Sequence, residues 1–365
     1  MMSTGQNSTV DDPTETSTVE VATQTTGSGL TSSSSIGADL YFRCAVLLVG
    51  VVGAAANGLV LYAMVAAKQH KKHVLIFSQN ALDLVNCMAW VIGYTINLSS
   101  IYLSGTGGYW LCLTIMSYAG ALAAYSGSQI NLAAISIERY LKIVHNTWAK
   151  AKLRNWMIYS TIAFAWIAGI AIAAADIIPT AVVINGVCYS GFQLLNPTAV
   201  KAGLVWEFLS LYVTIILIFA YCYGRILVII RRQARVMAAH SGHGSNTVQD
   251  QTKKIQNSVI KTMILIGLLI TVTWAPMYTY LLLVYFGEIS LDENVLSTVL
   301  FIAYLYVCIN PFIYATKFAP VKRVLWGLIT CKKNVLAAES GGNTRIPFSM
   351  IPDYNAKNVR HSQVL

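Results

Sequence analysis

Between residues 40 and 316 the chain returns seven times to a stretch of about twenty predominantly apolar residues, the length an α-helix needs to cross the hydrocarbon core of a bilayer. The stretches centre on Leu48, Trp90, Ala124, Trp166, Ile216, Leu268 and Tyr304, and short loops rich in Gly, Asn, Lys or Ser separate them. Hydrophobic residues make up 56% of the chain and charged residues 11%, whereas a soluble domain carries roughly a quarter charged residues. The chain therefore reads as an all-α membrane protein, a seven-transmembrane helix bundle, rather than a soluble protein with buried helices.

Two stretches are interrupted by polar residues: Asn80, Asp83 and Asn86 in the second, and Ser126, Ser128, Gln129 and Asn131 in the third. Polar groups at membrane depth are costly against lipid, so these residues are expected to face the bundle interior and to mark function.

Basic residues set the orientation. Residues 1–39 contain no Lys or Arg, while Lys68, Lys71 and Lys72 follow the first span and Lys150, Lys152 and Arg154 lie between the third and fourth. Arg225, Arg231, Arg232, Arg235, Lys253 and Lys254 flank the loop between spans five and six, and Lys317, Lys322, Arg323, Lys332 and Lys333 follow the last. Positive loops stay inside, which leaves Arg43 and Lys201 near the outer side, the amino terminus extracellular and the carboxyl terminus cytoplasmic. The net charge of +10 is then mostly an inner-leaflet feature that attracts anionic membrane lipids and negative partners, not nucleic acid.

The first 37 residues have neither a basic start nor an apolar core, so no cleavable signal is expected and the first span inserts itself. The domains read as a disordered extracellular tail at 1–37, a receptor-sized membrane domain at 38–333 and a disordered cytoplasmic tail at 334–365. Asn7-Ser8-Thr9 is a glycosylation acceptor if it lies outside. Cys44, Cys87, Cys222 and Cys308 fall within spans, as small apolar fillers. Cys112 and Cys188 are the two on the oxidising side, where a disulfide between them is favoured over two free thiols. Cys331 follows an amphipathic segment, a setting for palmitoylation or for an unmodified thiol.

Catalysis and transport have little support. His70, His73, His145, His240, His243 and His361 all fall in cytoplasmic loops or the tail, so no catalytic residues and no enzyme are expected, and the two halves show no matching repeat.

Three motifs sit at span ends. The third span closes on Glu138-Arg139-Tyr140, an acid and an arginine at the cytoplasmic edge. The sixth carries Trp274-Ala275-Pro276, where Pro removes a backbone bond and kinks the helix, and the seventh carries Asn310-Pro311-Phe312-Ile313-Tyr314. With Asn57 in span one, Asp83 in span two, Trp166 in span four and Tyr223 in span five, the chain resembles the rhodopsin-like family of G-protein-coupled receptors over about residues 38–333.

The resemblance implies a plasma-membrane receptor whose partners are an extracellular ligand and a heterotrimeric G protein, with oligomeric state left open. It implies a short amphipathic eighth helix at 318–330, with Phe318, Val321, Leu325 and Leu328 on one side and Lys322 and Arg323 on another. Glu138, Arg139, Tyr140, Tyr223, Trp274, Pro276, Asn310, Pro311 and Tyr314 take the switch and coupling roles. Asn57, Asp83, Ser128 and Asn310 form a water and sodium site with Asp83 as the sodium ligand, the alternative being that Asp83 is a satisfied buried acid; Tyr306 and Val307 replace small polar residues there, and no cofactor is expected besides that allosteric sodium ion. The chain departs from the family elsewhere too: span five has Thr214-Ile215-Ile216 in place of a Pro, Gln256 in place of an acid that would pair with Arg139, and the interval from Cys112 to Arg139 is two residues longer.

Two ligand classes can be tested by position. The span-seven lysine of opsins falls on Tyr304, and the span-three aspartate of amine receptors falls on Ala121, so neither an ordinary opsin nor a classical amine receptor is expected. The resemblance lines an outer cavity with Tyr118, Ala121, Leu122, Tyr125, Trp274, Tyr278 and Tyr304, a lining suited to a peptide or an amphipathic organic ligand. Glu207, in the outer half of span five, meets either a cationic group on the ligand, Lys201, or solvent, and Asp176 adds to an acidic vestibule or is simply exposed. The alternative function is a constitutively active or non-coupling seven-helix membrane scaffold.

Overall fold

In the computed structural model each apolar stretch is helical, and the polar residues that interrupt two of them point into the bundle. Residues 32–190, 197–239, 247–287, 289–317 and 319–329 are described below. The spans are α1 (Ser32–Ala66), α2 (Val74–Leu98), α4 (Ala119–Val144), α6 (Asn155–Ile177), α7 with α8 (Pro197–Glu207 and Thr214–Ala239), α9 (Thr247–Tyr285) and α10 (Glu293–Lys317). Shorter helices are α3 (Gly105–Leu111), α5 (Asn146–Lys152) and α11 (Ala319–Ile329). Helix α1 starts within the stretch read as tail, at Ser32 rather than residue 38. The chain divides into a unit Met1–Tyr41 and a unit Phe42–Leu365, and the bundle belongs to the second.

Among the described residues, six helices are long and apolar enough to cross a membrane. The remaining span, α4, has 26 residues, ample length at about 1.5 Å each, but it is too polar to qualify by hydropathy. The reason is its position: α4 packs against α2, α6 and α8, so Ser126, Ser128, Gln129 and Asn131 are buried against protein rather than lipid. Helix α6 is the opposite case, with Phe164, Ile167 and Ile170 exposed on a lipid-facing surface. The α4–α6 contact is close because Gly169 lacks a side chain; a Cβ there would sit 2.3 Å from the Ala123 carbonyl oxygen.

Two departures from the family pattern have visible structural outcomes. The longer interval before Arg139 is taken up by a π-helical turn at Cys112–Met116 and by Tyr118, which adopts a left-handed conformation (φ 59°, ψ 26°) just before α4 begins. In span five, a π-helical turn at Phe208–Val213 immediately precedes Thr214-Ile215-Ile216, the residues that stand in place of the family's Pro. The Thr214 hydroxyl donates to the Leu209 carbonyl five residues back at 2.7 Å, satisfying a group that the wider turn displaces.

The expectation of an all-helical protein misses one hairpin. Strands β1 (Val182–Ile184) and β2 (Val187–Tyr189) pair antiparallel, joined by Asn185 and Gly186, both at positive φ (51° and 79°). That is the two-residue turn that Asn-Gly favours, and the dipeptide was the sequence signal for it. Gly186 is also sterically required, since a Cβ would lie 2.1 Å from the Tyr102 ring. The hairpin is tethered twice: the Gly186 carbonyl accepts from the Leu103 amide at 2.9 Å, and Cys188 forms a disulfide with Cys112, Cα atoms 5.4 Å apart.

Most of the buried apolar residues form one core, which includes Tyr125, Leu132, Phe219, Tyr223, Trp274, Tyr306 and Tyr314; a smaller cluster of Leu103, Cys112, Leu113, Ile177 and Ala181 lies near the disulfide. Helix α11 is amphipathic as expected: Val321 and Val324 are buried, Leu325 and Leu328 pack on the core, and Lys322, Arg323 and Trp326 are exposed. Asn7, Phe318, Cys331, His240, His243, His361 and the side chain of Gln256 lie outside the described residues.

Candidate functional site

Asp83, fully buried, is the centre of a hydrogen-bonded network linking α2, α4 and α10. Its Oδ1 accepts from the Ser128 hydroxyl at 2.9 Å and from Gln79 Nε2 at 3.2 Å, and its Oδ2 accepts from Asn310 Nδ2 at 3.1 Å. Gln79 also contacts Ser128, and its Oε1 accepts from Asn131 at 2.9 Å. Gln79 was missed by sequence reasoning, although its spacing four residues before Asp83 places it on the same helical face. Tyr306, noted as a departure, joins the network with its hydroxyl 3.3 Å from Ser128.

Asn57 stands apart from this group. Its Nδ2 donates to the Gly53 carbonyl at 3.0 Å and to the Val307 carbonyl at 3.3 Å, so it ties α1 to the backbone of α10 rather than to the Asp83 carboxylate. The Asp83 carboxylate, the Ser128 hydroxyl and the Asn310 Oδ1, which has no partner among the described residues, are hard oxygens of the kind sodium takes. Amide N–H groups of Gln79 and Asn310 share the same carboxylate, so a sodium ion here would compete with two donors.

The aromatic residues expected to line one cavity form two groups. Tyr125 stacks on Trp274 (centroids 4.0 Å apart, planes at 19°), and Tyr278 lies 6.0 Å from the indole and 5.0 Å from Tyr212. Tyr118 and Tyr304 instead flank Trp90 at 4.5 and 4.1 Å, with the Tyr118 hydroxyl accepting from Asn97 at 2.9 Å. Trp90, half-buried, entered the sequence reading only as the centre of the second span, since an aromatic ring among apolar neighbours carries no separate signal. Ala121 is buried and Leu122 packs between the two hydrophobic clusters.

Glu207 and Asp176 are electrostatic neighbours, both acting on Tyr278, and Asp176 Oδ2 is buried without a hydrogen-bond partner among the described residues. The structure thus brings together two acids that the sequence had offered separately. Lys201 turns elsewhere, its ammonium 5.7 Å above the Phe286 ring.

At the opposite end, Arg139 Nε lies 3.4 Å from Glu138, which also takes Lys142 at 2.5 Å. The Arg139 guanidinium donates to His73 Nδ1 at 3.4 Å, an orientation toward α2. Burial, then the Arg139 and Lys72 charges, push the His73 imidazole down to about 4, so it is neutral at physiological pH and can accept that bond. Tyr223 is held by Ser136 at 2.9 Å, Tyr314 is buried, and Tyr140 faces outward to His145 and Tyr221 at 3.1 and 3.3 Å. Pro276 and Pro311 lie inside α9 and α10. Trp166, the span-four landmark, donates to Ser78 at 3.3 Å.

A disulfide-tethered hairpin at one end of the bundle, a buried carboxylate network and an arginine at the opposite end of the central span together define a seven-helix membrane receptor. The chain belongs to the 7 transmembrane receptor (rhodopsin family), which it matches over residues 56–314, and it is a multi-pass G-protein-coupled receptor. Rhodopsin of Lethenteron camtschaticum is 25% identical over 305 residues, spanning 80% of this chain and 82% of that protein. Human melanopsin is 26% identical over 284 residues, spanning 74% of this chain and 58% of melanopsin, so the chain covers little more than half of that relative. The fold is similar to the crystal structure of squid rhodopsin, with a TM-score of 0.64 at 18% identity, covering 84% of this chain and 92% of that one.

Proposed function

We propose that the receptor takes a ligand bearing a cationic group, a peptide or an amphipathic amine, from the extracellular side, and that Asp176 with Glu207 is where that group docks. The observation that carries this reading is the neighbouring carboxyl pair. Two neighbouring carboxylates repel when both are ionised, and a ligand cation placed between them relieves that repulsion. Signal transfer is a biased equilibrium: a ligand that binds one arrangement better shifts the bundle toward it, and spans five and six move to open the inner crevice lined by Arg139, Tyr223 and Tyr314. The Asp83 network, which ties spans two, three and seven, couples the two ends, with sodium as its one cofactor candidate.

The receptor is not an opsin in this reading, because Tyr304 occupies the Schiff-base position and Lys317, past the Tyr314 motif, is the sole lysine of α10. Incubation with retinal is expected to give no shifted absorbance band. The decisive experiment measures G-protein activation in cells expressing wild type and Arg139→Ala at matched surface levels, across peptide and amine ligands. A response that vanishes in the variant supports the assignment, and an undiminished one overturns it. Glu207→Gln is expected to raise the half-maximal concentration of a cationic ligand about tenfold or more, the cost of one charge-assisted contact.

A further inference from the structure

A cavity of about 90 Å³ opens where the start of α2 meets the last turns of α4 and the first of α6. Lys71, Lys72, Arg139 and Lys142 line it, and Glu138 is the carboxylate among them. That carboxylate is already shared between Lys142 and Arg139, which leaves an excess of positive charge over the space. Val74, Leu75 and Ile76 also line the cavity, and the side chain of His73 makes no capping hydrogen bond, so the positive end of the 25-residue α2 faces the same volume. His73 is kept neutral first by its burial and then by the Arg139 and Lys72 charges, against Glu138, so cations contribute to the field at this end of α2.

The space is small. Drug-sized ligands occupy pockets of about 300 Å³ and above, so this cavity suits one compact anionic group. Its mouth carries Tyr159, 54% exposed, with Trp156, 64% exposed, at the same end of α6. Exposed aromatic residues at a span end sit at headgroup level in a bilayer. We infer that this cavity binds the phosphorylated headgroup of an inner-leaflet lipid, one phosphate entering between Lys71, Lys72 and Lys142 at the start of α2. The site rests on the proposed orientation, which puts this end of the bundle in the cytoplasm. A phosphate there also lies within reach of Arg139 and competes with Glu138 for the guanidinium.

The full-length receptor reconstituted in phosphatidylcholine vesicles containing phosphatidylinositol bisphosphate, or phosphatidylserine at equal total charge, tests the site. Lipid retained after extraction is read by native mass spectrometry. Wild type is expected to retain the bisphosphorylated lipid. A Lys71→Gln/Lys72→Gln/Lys142→Gln variant is expected to lose about a hundredfold in affinity, each lysine near the surface contributing about a fivefold share. The control variant Lys322→Gln/Arg323→Gln on α11 is expected to retain the lipid. Equal retention by the triple variant, or equal retention of phosphatidylserine, overturns the site. Displacement by soluble inositol trisphosphate supports headgroup recognition, while equal displacement by inorganic phosphate points to a free-anion site and overturns the lipid assignment. Absence of lipid retention together with crosslinking of a phosphopeptide to Lys71 assigns the cavity to a protein partner instead. G-protein activation is recorded on the same vesicles, so lipid retention without coupling counts against the proposed function and not against this site.

Discussion

The phenol ring of Tyr125 lies flat against the indole of Trp274, centroids 4.0 Å apart, joining the central span to the proline-bearing sixth span at its inner face. Stacked aromatic pairs contribute about 0.5–1.5 kcal/mol beyond the area they bury. A thermal-unfolding cycle of Tyr125→Leu, Trp274→Leu and the double variant is expected to return a coupling in that range. Because the stack holds α9 against α4, Tyr125→Leu is also expected to change basal G-protein activity, and an additive cycle would show that the rings are neighbours without coupling.

The Asp83 network predicts an ion effect. If sodium joins the carboxylate, replacing it with N-methylglucamine lowers the melting temperature of wild type but not of Asp83→Asn. At ten times the dissociation constant the ion contributes about 1.4 kcal/mol. Equal melting temperatures of wild type in the two salts leave Asp83 as a purely hydrogen-bonded centre.

The Cys112–Cys188 bridge closes a separation of 76 residues, and a crosslink of that span is typically worth about 2–4 kcal/mol. Cys112→Ser and Cys188→Ser are each expected to lose that amount, and the double variant no more than either alone. Losses that add would mean each residue stabilises the outer surface independently of the bond.

His73 predicts an acid sensitivity. Its imidazole is pushed down to about 4 by burial, Arg139 and Lys72, against Glu138 acting the other way. Below its ordinary value of 6.5 the unfolded chain takes up a proton that the folded chain refuses until about pH 4, so stability falls as pH drops through that window. The contribution is absent above pH 7. His73→Gln is expected to flatten the loss between pH 6.5 and 4, and a wild type and variant with parallel pH profiles would remove His73 as the cause.

Much was legible from sequence because it depends on local chemistry. Apolar stretches of spanning length, the prolines at 276 and 311, and the acid–arginine pair at 138 and 139 are each visible in a short window, and together they named the fold, while the basic bias of alternate loops set the expected direction of the chain. The carboxylate at Asp83 stood out for the same reason, since few residues at that depth are ionisable. The Asn185-Gly186 turn was equally local, and went unread among longer signals.

What only the tertiary structure decided concerns distances between segments. Gln79 and Tyr306, not Asn57, complete the Asp83 site, because helix rotation and the path of α10 set which side chains meet. Tyr118 and Tyr304 fall beside Trp90 rather than Trp274, since the left-handed break at Tyr118 redirects the start of the central span. Asp176 and Glu207 come from two helices into one neighbourhood, and four basic residues from two segments line one cavity. A sequence fixes the period and the polarity of each helix, whereas the pairing of their faces depends on the packing of all seven at once.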